Sequence, residues 1–291
     1  MRQRPLGPGA PEVSEVGYGG MHLSIVDRPP APEAIRTIHA ALDHGATLLD
    51  TADVYCLDDS ELGHNERLLA RALREWPGDR DRVVVATKGG MTRPGGRWER
   101  DGRPEHLRAA CERSLRALGV DQIALYQLHA PDPAVPFEES VGALARLREA
   151  GWIRHVGLSN VSVEQVESAL RIVPVTSVQN RLNPFFPEAL TTGVVRCCER
   201  HGLGFLAYSP VGGGRLNRKL PDHPVVSAIA RAHGASPHAV VIAWVLAQSP
   251  VVIPIPSART PAHAIDALGA AELALSPAEL GRISSAEFSR A

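Results

Sequence analysis

Leu48-Leu49-Asp50-Thr51-Ala52-Asp53-Val54-Tyr55 begins inside an apolar run, Thr47 to Asp50, that stops on a carboxylate and is followed five residues later by a phenol. The same design recurs along the chain. VVVATK (Val83 to Lys88), ALYQLH (Ala124 to His129), VGLSN (Val156 to Asn160), TSVQ (Thr176 to Gln179) and GFLAY (Gly204 to Tyr208) are also apolar runs that finish on polar side chains. Short β-branched runs of this kind read as strands covered on both faces. The expected strands lie near Val16 to Gly20, Thr47 to Asp50, Val83 to Lys88, Ile123 to His129, His155 to Leu158, Ser177 to Gln179, Gly204 to Tyr208 and Val251 to Ile255.

Between these runs the period changes from two to three and four. Ile35, Ile38 and Leu42 share one helical face, as do Leu107, Cys111, Leu115 and Leu118. Gly45, Gly119, Gly151 and Gly202 stand just past helical stretches, and Pro104 and Pro136 stand near helix starts. Strands alternating with helices fit either a closed barrel or an open doubly wound sheet. The polar strand ends decide between them. In a (β/α)8 barrel all of them reach one face, so residues far apart in sequence converge, whereas an open sheet spreads them along an edge. The expected fold is therefore α/β, a single-domain (β/α)8 TIM barrel over residues 1–291, with no linker or low-complexity block to divide it. The segment from Arg93 to Arg103 reads as loop.

Composition agrees. The chain has 291 residues, 44% hydrophobic and 22% charged, enough for one large core, and its formal charge of −1 sets up no overall attraction for nucleic acid or an anionic membrane. The four cysteines form no C-x-x-C pair, which argues against a disulfide framework or a structural zinc site. No signal-like apolar core and no membrane-length apolar run occurs, so the expected compartment is the cytoplasm.

Asp50, Tyr55, Lys88 and His129 together offer a specific chemistry. A phenol with a reference pKa of about 10 holds its proton tightly at neutral pH, and an ammonium beside it favours the phenolate. Lys88 supplies that charge, Asp50 keeps it protonated and oriented, and His129 hydrogen-bonds an incoming carbonyl oxygen. Singly, each has a structural reading: a cap or turn for Asp50, a packing residue for Tyr55, a solvated charge for Lys88 and a buried hydrogen-bonded imidazole for His129. Ser159 and Asn160 could likewise cap the next helix, a role that Ser162 also fits.

At these residues the sequence resembles the aldo-keto reductase superfamily. LLDTADVY, ATK (Ala86 to Lys88), YQLH (Tyr126 to His129), GLSN (Gly157 to Asn160), VQN (Val178 to Asn180), AYSPVGGG (Ala207 to Gly214) and IPIPSAR (Ile253 to Arg259) match in order and spacing over nearly the whole chain. A finer similarity, from Gly89 to Leu158, is to bacterial reductases of which some act on pyridoxal. The resemblance implies an NADPH-dependent oxidoreductase acting on a small-molecule carbonyl, with Tyr55 as general acid, Lys88 and Asp50 tuning it and His129 orienting substrate. It further implies that Ser159, Asn160 and Gln179 hold the nicotinamide carboxamide and that Tyr208 stacks on the ring. Ser209, Val211 and Gly213 correspond to the pyrophosphate segment, and Ser257, Arg259, His263 and Asp266 to the adenosine-phosphate segment. Arg259 favours NADPH/NADP+ over the non-phosphorylated cofactor.

The chain departs from the family pattern at Ser257, His263 and Ala267, where glycine, Arg or Gln, and Asn are common. Trp98, Met21 and His22 fall in loops near the expected mouth, outside the assigned site. Two other readings exist: a Schiff-base aldolase at Lys88, which an Asp50 partner opposes by keeping the amine charged, and a redox-sensing subunit that binds NADPH to regulate a partner. No G-x-G-x-x-G follows an N-terminal strand, which disfavours a Rossmann dehydrogenase.

Overall fold

A computed structural model describes the whole chain, Met1–Ala291. Eight parallel strands make one sheet in sequential order: β1 (Tyr18–Gly19), β2 (Leu48–Asp50), β3 (Val84–Gly89), β4 (Ile123–Leu128), β5 (Ile153–Ser159), β6 (Val175–Arg181), β7 (Gly204–Tyr208) and β8 (Val252–Ile255). The edges then meet, with Gly17 N–H donating to Pro254 O at 2.9 Å and Gly19 N–H to Pro256 O at 2.9 Å. This seam turns the sheet into a (β/α)8 barrel. Glycine is required there because a Cβ on Gly19 would stand 2.9 Å from the Ile255 carbonyl oxygen.

The outer layer is helical: α1 (Ala31–Asp43), α2 (His64–Glu75), α3 (Pro104–Leu118), α4 (Phe137–Glu149), α5 (Val163–Leu170), α6 (Glu188–Thr191), α7 (Val194–His201), α8 (Pro224–His233), α9 (Pro237–Leu246), α10 (Pro261–Gly269) and α11 (Pro277–Ser285). Ile35, Ile38 and Leu42 of α1 are buried, as are Leu107, Cys111 and Leu118 of α3, which confirms the faces read from spacing. Burying each such side chain contributes about 1.5–3 kcal/mol, so the apolar stripe rather than helix propensity fixes these elements on the barrel. No helix is long and apolar enough to cross a membrane.

Two antiparallel hairpins lie outside the alternation and are absent from the sequence reading. The first pairs Gln3–Pro5 with Glu12–Ser14. It plugs the bottom of the barrel, where Leu6 and Val13 are fully buried among Leu48, Val84, Leu125, Leu206 and Ile253. The second pairs Met91–Thr92 with Glu99–Arg100, the latter inside the segment read as loop. Strands of two or three residues are too short to show a period, which is why neither was legible.

Candidate active site

Each polar strand end arrives where the barrel opens. Asp50 ends β2, Ser159 ends β5 and Tyr208 ends β7, while His129 follows β4 directly. They surround a cavity of about 350 Å³ that Tyr55, Asn160, Gln179, Ser209, Val211, Gly213 and Ser257 also line. Lys88 lies behind its wall, fully buried.

Lys88 spends its three N–H donors on three oxygens: Asp50 Oδ1 at 2.5 Å, Thr51 O at 2.8 Å and Tyr55 Oη at 3.1 Å. A fully buried ammonium is tolerable only when so satisfied. The other oxygen of Asp50 accepts from Gln179 Nε2 at 2.7 Å and Gln127 Nε2 at 3.2 Å. Both glutamines anchor the carboxylate; Gln127 was not singled out in the sequence, although it sits in the YQLH stretch. The Tyr55 ring meets His129 edge-on, centroids 5.7 Å apart, and Trp98 likewise at 6.3 Å.

Electrostatics refine one expectation. Burial raises the pKa of the Tyr55 phenol; the Lys88 ammonium pulls against it without cancelling it, so the net shift is upward. Lys88 therefore limits the rise rather than producing a phenolate. For Lys88 itself, burial pulls the pKa down, but Asp50 and Tyr55 outweigh it and the ammonium is held charged. That charge opposes Schiff-base chemistry, which needs a free amine. His129 is driven well below its ordinary pKa by burial and then by Lys88, so its imidazole is neutral at neutral pH and carries one N–H.

A pH profile follows. A phenol with a raised pKa stays protonated through neutral and mildly alkaline solution, so a step needing its proton is expected to persist there and decline only as pH rises past the ordinary phenol value. A neutral His129 is expected to add no inflection near pH ~6.5. Turnover measured from pH ~6 to ~11 checks both, and a fall in rate centred near neutrality counts against them.

Ser162, not Ser159 or Asn160, caps α5: its Oγ accepts from Gln165 N–H at 3.3 Å, and Gln165 Oε1 accepts from Ser162 N–H at 3.0 Å. The preceding pair is thus free to face the cavity. Asn160, at φ 59°, donates to His129 O at 2.9 Å and accepts from Tyr208 Oη at 2.8 Å, which ties the ends of β4, β5 and β7 together. After β7, Gly212, Gly213 and Gly214 have φ of 92°, 65° and 42°. The N–H groups of Val211, Gly213 and Gly214 make no hydrogen bond within the protein. Gly212 N–H between them donates to Ser209 O at 2.9 Å, so the free groups are Val211 and the adjacent pair Gly213–Gly214, and free N–H groups on such a left-handed turn suit an anion.

The last segment is less uniform. Ser257 donates to Gly19 O at 2.5 Å, across the barrel seam. Arg259, His263 and Asp266 do not line the cavity. Arg259 donates to Val26 O at 3.2 Å and has its Nε buried without a partner. His263 is exposed in the first turn of α10, and Asp266 accepts from Ser236 Oγ at 2.6 Å, a tie between α10 and the start of α9. Met91, Arg100, Pro210 and Asn217 also join the lining; Pro210 lies within the AYSPVGGG stretch and Arg100 in the segment read as loop, while Met91 and Asn217 carry no local signal that marks them.

Residues 15–287 match the Aldo/keto reductase family. The chain belongs to that family. It is therefore an oxidoreductase, and this aldo-keto reductase is 35% identical over 269 residues to an uncharacterized oxidoreductase of Schizosaccharomyces pombe, covering 91% of this chain and 83% of the relative. It is 33% identical over 307 residues to a probable aldo-keto reductase of Glycine max, covering 96% and 86%. Among solved structures, an aldo-keto reductase from Klebsiella pneumoniae in complex with NADPH superposes with a TM-score of 0.80 at 26% identity, covering 97% of this chain and 94% of the other.

Proposed function

We propose that this aldo-keto reductase reduces an aldehyde or ketone to the alcohol with NADPH, and that Tyr55 donates the proton. The observation that carries the reading is the Tyr55 hydroxyl, 3.1 Å from a buried, charged Lys88, on a cavity wall it shares with a neutral His129. The residues present fit the cofactor: the free N–H groups of Val211, Gly213 and Gly214 suit a pyrophosphate, and Ser159, Asn160 and Gln179, which share the cavity wall, are assigned to the nicotinamide carboxamide. Tyr208, on the same wall, is assigned to the ring face. NADPH, when bound, supplies the hydride that the carbonyl carbon receives.

The protein's own part is to hold the carbonyl and deliver a proton. His129 donates its single N–H to the carbonyl oxygen and polarises it. As negative charge grows on that oxygen, Tyr55 passes its proton across and the alcohol forms. Lys88, 3.1 Å away, stabilises the phenolate left behind, and Asp50, held by Gln127 and Gln179, keeps Lys88 charged. A preorganised site of this kind does not have to reorient dipoles during the reaction. A screen of NADPH consumption against simple aldehydes and ketones tests the reading. Turnover supports it, and tight cofactor binding without turnover on any carbonyl points to the sensor instead.

Arg259 is proposed to pair with the 2′-phosphate, which NADH lacks. Its Nη1 makes no hydrogen bond, since the one bond of the guanidinium is Nη2 to Val26 O, so a donor is left for the phosphate. Arg259→Ala is expected to weaken NADPH binding about tenfold, the lower end for a charge-assisted hydrogen bond in a half-exposed setting, and to leave NADH binding nearly unchanged. Fluorescence titration with both cofactors measures this; equal weakening of the two would show that Arg259 supports the loop and does not read the phosphate.

A further inference from the structure

We propose that the carbonyl substrate carries an anionic group, a carboxylate or a phosphate, away from its carbonyl, and that Arg100 recognises that group. The inference rests on the reduction proposed above and adds the charge of the substrate.

Among the residues lining the cavity, only Asp50 and Arg100 carry a formal charge at neutral pH, and Asp50 is spent on Lys88. Arg100 is not spent. Its guanidinium makes one hydrogen bond, Nη1 to Pro131 O at 3.2 Å, and forms no ion pair. Glu105 and Glu139 share an outer groove with Arg100 but neither comes within ion-pair distance of it, and three other neighbouring carboxylates are committed elsewhere. Glu99 accepts from Arg97 at 2.9 Å, Asp101 from Arg103 at 2.7 Å, and Asp132 from the backbone N–H groups of Gly102 and Ala134, each at 2.9 Å. An arginine beside three acidic residues, each taken by another donor, keeps most of its N–H groups available for a ligand.

The position of Arg100 assigns it to the carbonyl side. It lies on the hairpin that follows β3 and pairs with Met91, and Trp98 of the same hairpin touches the Tyr55 ring. The turn of free N–H groups after β7 is four strands away around an eight-stranded barrel. A second cation reinforces the field: Arg93, 3% exposed, stacks 3.9 Å from the Trp98 ring centroid, has no carboxylate partner and leaves two nitrogens unbonded. Arg100 on the lining, with Arg93 stacked behind Trp98, makes this side of the mouth the one that attracts anions. Trp98, Met21 and Met91 meanwhile offer apolar surface to the body of the substrate. An anionic tail at Arg100 would pair through the planar fork of the guanidinium, leaving the aldehyde end to reach Tyr55.

Steady-state kinetics of the NADPH-loaded enzyme on matched pairs test this: 4-carboxybenzaldehyde against 4-carbamoylbenzaldehyde, and glyceraldehyde 3-phosphate against glyceraldehyde. The parent enzyme is expected to favour the anionic member of at least one pair by about tenfold in kcat/KM, chiefly through KM, and the pair that responds identifies the anion. Added salt should narrow the ratio, since an exposed pairing is screened. Arg100→Gln should bring the ratio close to one, Arg100→Glu should invert it, and Arg100→Lys should keep part of it. Equal kcat/KM for charged and neutral members in the parent overturns the anionic substrate while leaving the reduction intact. A preference that survives Arg100→Gln overturns the assignment to Arg100. Failure to reduce any aldehyde overturns the reduction and this inference with it.

Discussion

Tyr55→Phe is expected to slow carbonyl reduction at least ~100-fold, the scale of a positioned general acid, while NADPH binding stays nearly unchanged. The substitution deletes one oxygen and leaves the ring, which keeps its edge-on contacts with His129 and Trp98. Lys88 loses one of three acceptors and retains Asp50 and Thr51 O, so the buried charge remains compensated and the barrel should fold. The loss should appear in kcat and kcat/KM together, because the proton moves only in the transition state. Rates of NADPH oxidation and a fluorescence titration separate chemistry from binding. A folded Tyr55→Phe enzyme that reduces carbonyls at the parental rate would sink the assignment.

Lys88→Met is expected to cost at least as much activity and, unlike Tyr55→Phe, a good deal of stability. It strands Asp50, 3% exposed, with only the amide donors of Gln127 and Gln179. Removing one partner of a buried ion pair typically costs about 3–5 kcal/mol because the remaining charge stays desolvated. Asp50→Asn is expected to strand Lys88 in the same way and to lower its pKa, since the carboxylate is what holds the charge against burial. The double variant should then lose much less than the product of the single activity losses, and it should melt above Lys88→Met because no lone charge is left inside. Kinetics and thermal melts of the three variants test both statements. Fully multiplicative activity losses would show that the two residues act independently.

Much of the site was legible because barrel chemistry is carried at strand ends. An apolar run that stops on Asp50, Lys88, His129, Ser159, Gln179 or Tyr208 announces both the strand and the residue it delivers, and the structure brings all six to one face. The runs were read about right in place but not in extent. β1 has two residues against an expected five, and β5 and β6 extend beyond the expected His155 to Leu158 and Ser177 to Gln179. Gln127 is not legible in the sequence because a glutamine inside an apolar strand has no local signature, and its partner Asp50 is 77 residues away. Arg100 is hidden for the same reason: its free donors follow from how its acidic neighbours are spent. Asp266, taken for an adenosine contact by resemblance, also holds Ser236 between two helices, a tie that no motif records.

By itself the sequence determined the alternation of strands and helices and the side chains that stand where the strands stop, because burial on both faces forces apolar runs and their ends free the backbone for polar residues. Closure of the barrel decided the rest. Only the tertiary structure shows that burial outweighs Lys88 at the Tyr55 phenol and that Arg100 is left unpaired. Lys88 meets Asp50 across 38 residues and Gln179 meets Asp50 across 129, and which donors are spent or free is a property of that meeting rather than of any local stretch.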